Sequence, residues 1–340
     1  MKFFKLMIFL CILVFAINSC VSRTIENKYS VTEKASTILD DIPGVSETSG
    51  NIESLGSPVP IYKINIVEYI NPLSVSEYYN LTQEQQIAFR AICDALSDII
   101  DNGPTPYKNY ILERPIPWVD YKVAYNLIDS NYAALEDIIS ILYSNTSHFF
   151  DGAEYVDSFY LDGYNVDFIE KEYSKFMESN SKAENILLSL EYDGTTYGKA
   201  HSIAKWMVEN ITYAHDYAER LEDGLNTVHT TLMTNEAVCD GYAKTYDFLC
   251  KRAGLETIYV VSNDSSHAWN MICIDNKWYH IDITWMDHPN VFYKYFMMSD
   301  ETCKYTGHPK WEYYWDQRNN VKIVPIAGYD DLYFYIDIKK

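Results

Sequence analysis

Two stretches of the sequence determine the fold: residues 237–255 read AVCDGYAKTYDFLCKRAGL, and residues 266–287 read SHAWNMICIDNKWYHIDITWMD. In the first stretch, apolar side chains recur at spacings of three and four, which predicts an amphipathic helix that begins near Asn235-Glu236 and ends at Gly254. The residues that set this spacing are Cys239, Tyr242, Ala243, Tyr246, Leu249, Cys250 and Ala253. Cys239 therefore falls in the first turn of the helix, on the face that meets the rest of the fold.

The position of Cys239 suits a nucleophile. The exposed N–H groups and the dipole of a helix N-terminus favour negative charge, and a thiol placed there has its pKa lowered. The thiolate is the reactive form of cysteine. The alternative is that Cys239 is a small buried apolar residue, as most free cysteines are.

Three strands are predicted downstream of this helix. Residues 256–261 are rich in β-branched side chains, and residues 268–274 and 277–284 flank the hairpin-turn dipeptide Asp275-Asn276. A two-residue loop sets Ile274 opposite Lys277. His267 and Asp282 then lie on one face of the hairpin, one diagonal step apart. An imidazole held by a carboxylate is the base that a thiol nucleophile needs.

Other interpretations of these residues stay open at this stage. His267 follows two serines and fits a loop histidine, while Asp282 could cap the turn that follows its strand. His280 is a rival base, because it lies two residues before Asp282 and therefore on the same face, although deeper in the strand.

A cysteine that opens a helix, followed by a histidine and an aspartate on successive antiparallel strands, resembles the transglutaminase-like superfamily. The two quoted stretches look like its nucleophile helix and its histidine–aspartate hairpin. The sequence YFMMSDE at 295–301, with a later histidine, looks like a tail seen in many bacterial members. The resemblance covers roughly residues 195–310. It implies an α+β fold with a transglutaminase/papain-like core, in which the nucleophile helix packs on an antiparallel sheet after a mainly helical N-terminal region.

The resemblance also implies roles for individual residues. Cys239 would be the nucleophile, His267 the general base, and Asp282 the residue that orients and stabilises the imidazolium. Trp269, Trp285 and Tyr242 are expected to line the substrate site, while Trp269, Trp285 and Asp287 match motif positions that are expected to line or brace it. The backbone N–H of Cys239 is a candidate oxyanion donor on geometric grounds. We expect no cofactor and no metal, since the sequence has neither a CxxC pair nor a DxDxDG loop.

The first residues of the chain predict export. Lys2 and Lys5 precede an apolar run from Leu6 to Ile17, which is typical of a signal peptide over residues 1–19. The ending Ile17-Asn18-Ser19-Cys20 resembles the lipobox of bacterial lipoproteins, in which the cysteine is lipidated. We therefore expect Cys20 to anchor the chain on the extracytoplasmic side of a bacterial membrane, in the cell envelope, with ordinary secretion as the alternative. Residues 20–57 have the polar composition of a flexible tether.

Residues 58–190 are expected to form a mainly helical N-terminal region, and residues 191–340 the transglutaminase-like domain. In the first of these, Asp162-Gly163 predicts the turn of a hairpin, and apolar periodicity predicts helices. The predicted helices span about 81–100, 121–128, 132–143 and 167–190, and the hairpin spans 155–166. A further helix with an apolar stripe from Ala200 to Ile211 would begin at Thr195 or Thr196.

These features predict an extracytoplasmic cysteine acyl-transfer enzyme that hydrolyses amide or peptide bonds through a thioester. The alternatives are a protein-crosslinking transglutaminase and a non-catalytic binding lipoprotein that keeps the fold. The expected partners are a peptide or protein substrate, with cell-wall peptides accessible from such a location, and the membrane through the lipid anchor. Nucleic acid is excluded, since a net charge of -21 repels phosphate backbones.

Overall fold

The computed structural model describes residues 60–148, 154–163, 166–264, 266–288, 291–313 and 325–328. The predicted signal peptide at 1–19, the lipidated Cys20 and the tether at 20–57 lie outside the described residues. From Ile61 onward the chain belongs to one compact unit. The boundary at residue 190 therefore stays a prediction. Within the described part of the chain, no helix is long and apolar enough to span a bilayer.

Helices occur in both halves of the described chain. Numbered in chain order, they are α1 (Gln83–Asn102), α2 (Trp118–Asn131), α3 (Glu136–Ile139), α4 (Val166–Ser189), α5 (Thr196–Asn210), α6 (Val228–Thr234), α7 (Cys239–Arg252), α8 (Ile283–Met286) and α9 (Asp300–Tyr305).

The strands form small antiparallel sheets and one short parallel pair. They are β1 (Tyr62–Lys63), β2 (Asn109–Pro117), β3 (Leu142–His148), β4 (Glu154–Leu161), β5 (Glu191–Tyr192), β6 (Thr212–Tyr213), β7 (Glu236–Ala237), β8 (Glu256–Ser262), β9 (Ala268–Ile274), β10 (Lys277–Ile281) and β11 (Trp311–Tyr313). The order is β2-β4-β3 in one sheet and β10-β9-β8-β11 in the other, while β1 pairs with β5, and β6 runs parallel to β7.

The predicted fold class is confirmed. Helix α7 packs against β8 and β9 on one side and against α5 on the other, as expected for a nucleophile helix on an antiparallel sheet. Its C-terminus closes as predicted at Gly254, where φ is +73° and the N–H of Leu255 donates to the carbonyl of Cys250 over 2.9 Å. This is a Schellman closure, in which glycine adopts the left-handed conformation without steric cost.

The hairpin formed by β9 and β10 has the predicted register. Lys277 pairs with Ile274 and Ile281 pairs with Asn270. Asp275 and Asn276 both have positive φ, 50° and 61°, which is the type I′ geometry that matches the twist of the flanking strands. The last predicted strand was too long, however. The strand β10 ends at Ile281, because Asp282 caps the short helix α8.

Predictions for the N-terminal region succeeded for the long helices and failed between them. Helices α1 and α4 lie where expected, and α1 begins with a capping box formed by Thr82 and Gln85. The predicted helix over 132–143 is too long: a 3-10 helix at Ala133–Leu135 and α3 cover only part of it, and Leu142 already begins β3. The predicted hairpin turn at Asp162-Gly163 is wrong, because Glu154–Leu161 forms the single strand β4, which pairs with the preceding β3 and with β2.

The N-terminal region is tied to the nucleophile helix by charged side chains. Lys244 on α7 contacts Glu136 at 3.0 Å and Asp240 at 3.2 Å, and its side chain is 13% exposed. About two helical turns further on, Lys251 donates to the carbonyl oxygen of Asn131 over 2.8 Å. Both lysine side chains are largely shielded from solvent, so these contacts connect α7 to the N-terminal region more firmly than surface pairs would.

Candidate active site

The chain direction reverses sharply before Cys239, and this places the thiol at the first residue of α7. Val238, in an extended conformation, precedes the helix, and its N–H donates to the carbonyl of Leu225 over 3.1 Å. Gly241 allows that close approach, because a Cβ there would lie 2.4 Å from the carbonyl oxygen of Leu225. Cys239 is partly exposed, so its thiol is accessible while its helix end is held in place.

His267 lies next to this thiol. It directly precedes β9, where its N–H donates to the Ser262 hydroxyl over 3.0 Å and its carbonyl accepts from the N–H of Ser262 over 2.9 Å. Burial alone would lower the pKa of the His267 imidazole. The charge of Asp282 and the hydrogen bonds to Asp282 and Cys239 instead raise this pKa to about 10. The ring can therefore hold a proton beside Cys239 throughout the neutral range.

Asp282 has no exposed surface, and both of its carboxylate oxygens accept hydrogen bonds. Its Oδ2 atom lies 2.7 Å from Nε2 of His267, and its Oδ1 atom accepts the N–H of Trp285 over 3.1 Å. Asp282 thus orients the imidazole and also caps α8, so two interpretations that the sequence left as alternatives hold together. Burial opposes the charge of this carboxylate, but His267 and a second histidine, His308, hold its pKa far below the usual range.

The two predicted tryptophans pack against the imidazole ring of His267. Trp285 stacks on it with ring centroids 5.0 Å apart, and Trp269 lies on it at 5.6 Å. Trp285 is partly exposed and Trp269 is 1% exposed. Trp285 is therefore placed to contact a ligand beside His267, whereas Trp269 braces the ring from inside.

Tyr242 has no exposed surface. Its hydroxyl lies 2.6 Å from Oδ2 of Asp287 and 3.0 Å from the carbonyl oxygen of Ile211. In this conformation Tyr242 joins α7 to the segments after α5 and α8. Its placement supports a bracing role and gives no support to a lining role.

The rival base His280 is occupied on both ring nitrogens and has no exposed surface. The indole N–H of Trp269 donates to Nδ1 over 3.1 Å, and Nε2 lies 3.0 Å from Oδ1 of Asp300. An indole nitrogen can only donate, so Nδ1 of His280 carries no proton. Burial also lowers the pKa of this histidine. His280 is thus a structural residue.

Sequence reasoning missed His308, which the fold brings to the same carboxylate. Its Nε2 lies 3.0 Å from Oδ2 of Asp282, and its side chain is fully buried. His308 follows α9, so neither strand register nor helical spacing relates it to Asp282. The only signal was the histidine that follows YFMMSDE, and this signal specified no partner.

The ligand atoms of His267, Asp282 and His308 lie within 4.8 Å of one another, close enough to hold a metal ion. The hydrogen bonds of 2.7 Å and 3.0 Å to Oδ2 already satisfy the facing atoms. The three side chains therefore form a hydrogen-bonded network centred on Oδ2 of Asp282.

A cavity of about 100 Å³ in the N-terminal region is lined by Trp118, Tyr121, Tyr125 and Leu142, among other residues. No triad residue lines it. Proximity to reactive groups is therefore the better guide to the site in this molecule than cavity size.

Comparison with known proteins agrees with this core. Residues 187–283 match the model of the transglutaminase-like superfamily. The fold of the core is therefore transglutaminase-like, with the helix that carries Cys239 packed on the sheet that carries His267 and Asp282.

Two curated relatives are named kyphoscoliosis peptidase. The chain is 25% identical to the Mus musculus protein over 101 residues, which is 26% of this chain and 15% of that protein. It is 27% identical to the Homo sapiens protein over 107 residues, or 27% of this chain and 16% of that protein. The chain therefore spans about a sixth of the length of these relatives. A solved structure described as a TGase is 18% identical with a TM-score of 0.29, covering 48% of this chain and 49% of that chain.

Proposed function

We propose that the protein is an extracytoplasmic cysteine acyl-transfer enzyme that hydrolyses amide or peptide bonds through Cys239, His267 and Asp282. One observation supports this most strongly: a partly exposed thiol at a helix N-terminus hydrogen-bonds to an imidazole that a fully buried carboxylate holds at 2.7 Å. A nucleophile, its base and the group that orients the base are thus in contact, as nucleophilic catalysis requires.

The chemistry follows from these positions. In the resting site the proton of the Cys239 thiol has already passed to His267, and the thiolate Sγ attacks the carbonyl carbon of the amide. The C–N bond then breaks, the amine leaves with the proton from His267, and a thioester remains on Cys239. Water, deprotonated by His267, attacks the thioester and releases the acid. The N–H of Cys239, in the first turn of α7, is placed to donate to the oxyanion in both steps.

Hydrolysis is favoured over crosslinking by the relatives named peptidase. The two outcomes differ only in the second nucleophile. Incubation with a peptide mixture should release new free amines, whereas crosslinking would release ammonia from a carboxamide side chain and join an added amine donor covalently to the peptide.

The decisive test of catalysis is Cys239→Ala. This variant should lose turnover while it keeps its folded state by circular dichroism. Cys273→Ala is the matched control, since Cys273 is also partly exposed but lies on β9 with its thiol beside Glu256. Equal turnover in Cys239→Ala and the unaltered protein would refute an enzymatic role, and would leave a binding lipoprotein that keeps the fold.

The proposed location is tested separately. In a bacterial host, metabolic labelling with palmitate should mark the unaltered chain and should be lost in Cys20→Ala. Labelling that persists in Cys20→Ala, or no labelling of the unaltered chain in the membrane fraction, would contradict the anchor.

A further inference from the structure

Asp282 receives hydrogen bonds from two histidines on a single oxygen atom. Nε2 of His267 and Nε2 of His308 lie 2.7 Å and 3.0 Å from Oδ2, while the N–H of Trp285 binds Oδ1. A triad needs only one of these histidines. His308 has a fully buried side chain, so it does not contact substrate, and the mechanism above gives it no task.

In the hydrogen bond between His308 and Asp282, the histidine is the donor. The pKa of Asp282 is held far below its usual range, so the carboxylate is ionised and only accepts. Nε2 of His308 must therefore donate. Nδ1 lies 3.1 Å from the carbonyl oxygen of Cys303 and 3.1 Å from the Thr306 hydroxyl oxygen. That hydroxyl donates to the carbonyls of Thr302 and Cys303, so both ring nitrogens of His308 face acceptor oxygens.

The backbone fixes His308 in this position. Helix α9 ends at Tyr305, and Gly307 follows with φ +97°, a conformation that glycine adopts readily. The N–H of His308 then donates to the carbonyl of Cys303 over 3.2 Å. The imidazole packs on Trp285 with ring centroids 4.1 Å apart. A ring confined in this way has one orientation available.

We propose that His308 is a positioning residue for the catalytic carboxylate, an inference that rests on the proposed function. His308 holds Oδ2 of Asp282 in line with Nε2 of His267. It also donates a second hydrogen bond to this oxygen atom, which belongs to a charged side chain with no exposed surface. Without this donor, the carboxylate would rotate about its side-chain bonds or admit water, and the imidazole would lose its alignment with Cys239.

The test is a comparison of two substitutions in the full-length chain. His308→Gln keeps an N–H donor at about the position of Nε2, whereas His308→Met has similar size and no donor. We expect His308→Met to lower kcat on a cleaved peptide by about 10–100-fold with little change in KM, the range for misplaced catalytic groups. His308→Gln should restore kcat to within about threefold.

The same pair is assayed by the rate at which iodoacetamide alkylates Cys239, which needs no substrate. A rate in His308→Met equal to that of the unaltered protein would overturn the proposal. An equal loss in both variants would also overturn it, since packing and not the hydrogen bond would then be the cause. If His308→Met does not fold, His308→Asn carries the test, because its shorter side chain places an amide near the position of Nδ1 and leaves Oδ2 of Asp282 without its second donor. It should lose about threefold or more, and no change would overturn the proposal.

Failure of this proposal is distinguishable from failure of the proposed function. If His267→Ala leaves Cys239 alkylation unchanged, the triad itself is refuted. If His267→Ala slows alkylation but His308→Met does not, only the role of His308 is refuted.

Discussion

Two histidine–aspartate pairs lie close together at the β9–β10 hairpin, and the pKa values of their imidazoles are shifted in opposite directions. His267 lies 2.7 Å from Asp282, and His280 lies 3.0 Å from Asp300. The pKa of His267 is raised to about 10, whereas that of His280 is lowered. A short contact between an imidazole and a carboxylate therefore does not by itself make a base.

The difference arises from the surroundings of each pair. Asp282 is fully buried, so its charge acts on His267 with little screening, while the side chain of Asp300 is 30% exposed. Trp269 also donates to Nδ1 of His280, which holds that ring in its neutral form. His267 instead directs its remaining nitrogen toward Cys239. The catalytic pair thus differs from the structural one in its fully buried carboxylate and in a second ring nitrogen that faces a thiol.

The largest expected effect is the difference in kcat between substitution of His267 and substitution of His280. His267→Gln removes the base and should lower kcat by about 10⁴–10⁶-fold, as in other triads. His280→Gln should leave kcat within about threefold while it destabilises the fold, because a buried polar contact is lost. Steady-state turnover of a peptide measures both. A comparable loss of kcat in a folded His280→Gln variant would remove the distinction.

Substitution of Asp282 should lower kcat far more than substitution of Asp300, as for the histidines they contact. Asp282→Asn presents an amide N–H to His267, which reverses the ring tautomer and should lower kcat by about 10³–10⁴-fold. Asp300→Asn acts on a structural histidine and should change kcat by less than about threefold. Turnover measured at neutral pH decides the point, and equal losses would show that both pairs serve catalysis.

The raised pKa of His267 should also appear in stability. The folded chain keeps the His267 proton up to pH about 10, while the unfolded chain loses it near the ordinary value of 6.5. The stabilising contribution is therefore complete below pH 6.5 and is lost as the pH rises toward 10. Its slope is up to about 1.4 kcal/mol per pH unit.

Urea denaturation between pH 7 and 9 measures this slope. His267→Gln should show a weaker fall in the free energy of unfolding with pH than the unaltered protein, while His280→Gln should retain the fall. Identical slopes in the unaltered protein and His267→Gln would contradict the raised pKa.

The smallest effect concerns the bond that keeps His280 neutral. Trp269→Phe leaves Nδ1 of His280 without its donor and should reduce the free energy of unfolding by about 1–2 kcal/mol. In nuclear magnetic resonance titrations, the pKa of His280 should rise relative to the unaltered protein. A pKa that stays the same would show that burial alone keeps the ring neutral.

The sequence predicted the hairpin because local rules determine it. The dipeptide Asp275-Asn276 specifies a two-residue turn, and alternation along the strands then places His267 near Asp282. The end of the nucleophile helix was predictable for the same reason, since its spacing and Gly254 lie within one element, but the helix begins at Cys239 and not near Asn235-Glu236, where β7 lies. The contact of His280 with Asp300, by contrast, required α9 to pack near the hairpin.

The failures lie where pairing between distant segments outweighs local pattern. Leu135, Ile138, Ile139 and Leu142 fit a helical stripe, yet Leu142 joins β3 because β4 provides a partner. His308 could not be assigned, because it reaches Asp282 from another element across 26 residues. Long-range contacts of this kind leave no periodic signal in the chain.

The most direct test of the central claim is the rate of Cys239 alkylation by iodoacetamide from pH 5 to pH 9, followed by peptide mass spectrometry in the full-length chain and in His267→Ala. The account predicts fast labelling that persists well below neutral pH and is lost in His267→Ala, since a protonated His267 stabilises the thiolate. Labelling that is slow below pH 8 in the unaltered chain, or is unaffected by His267→Ala, would contradict it.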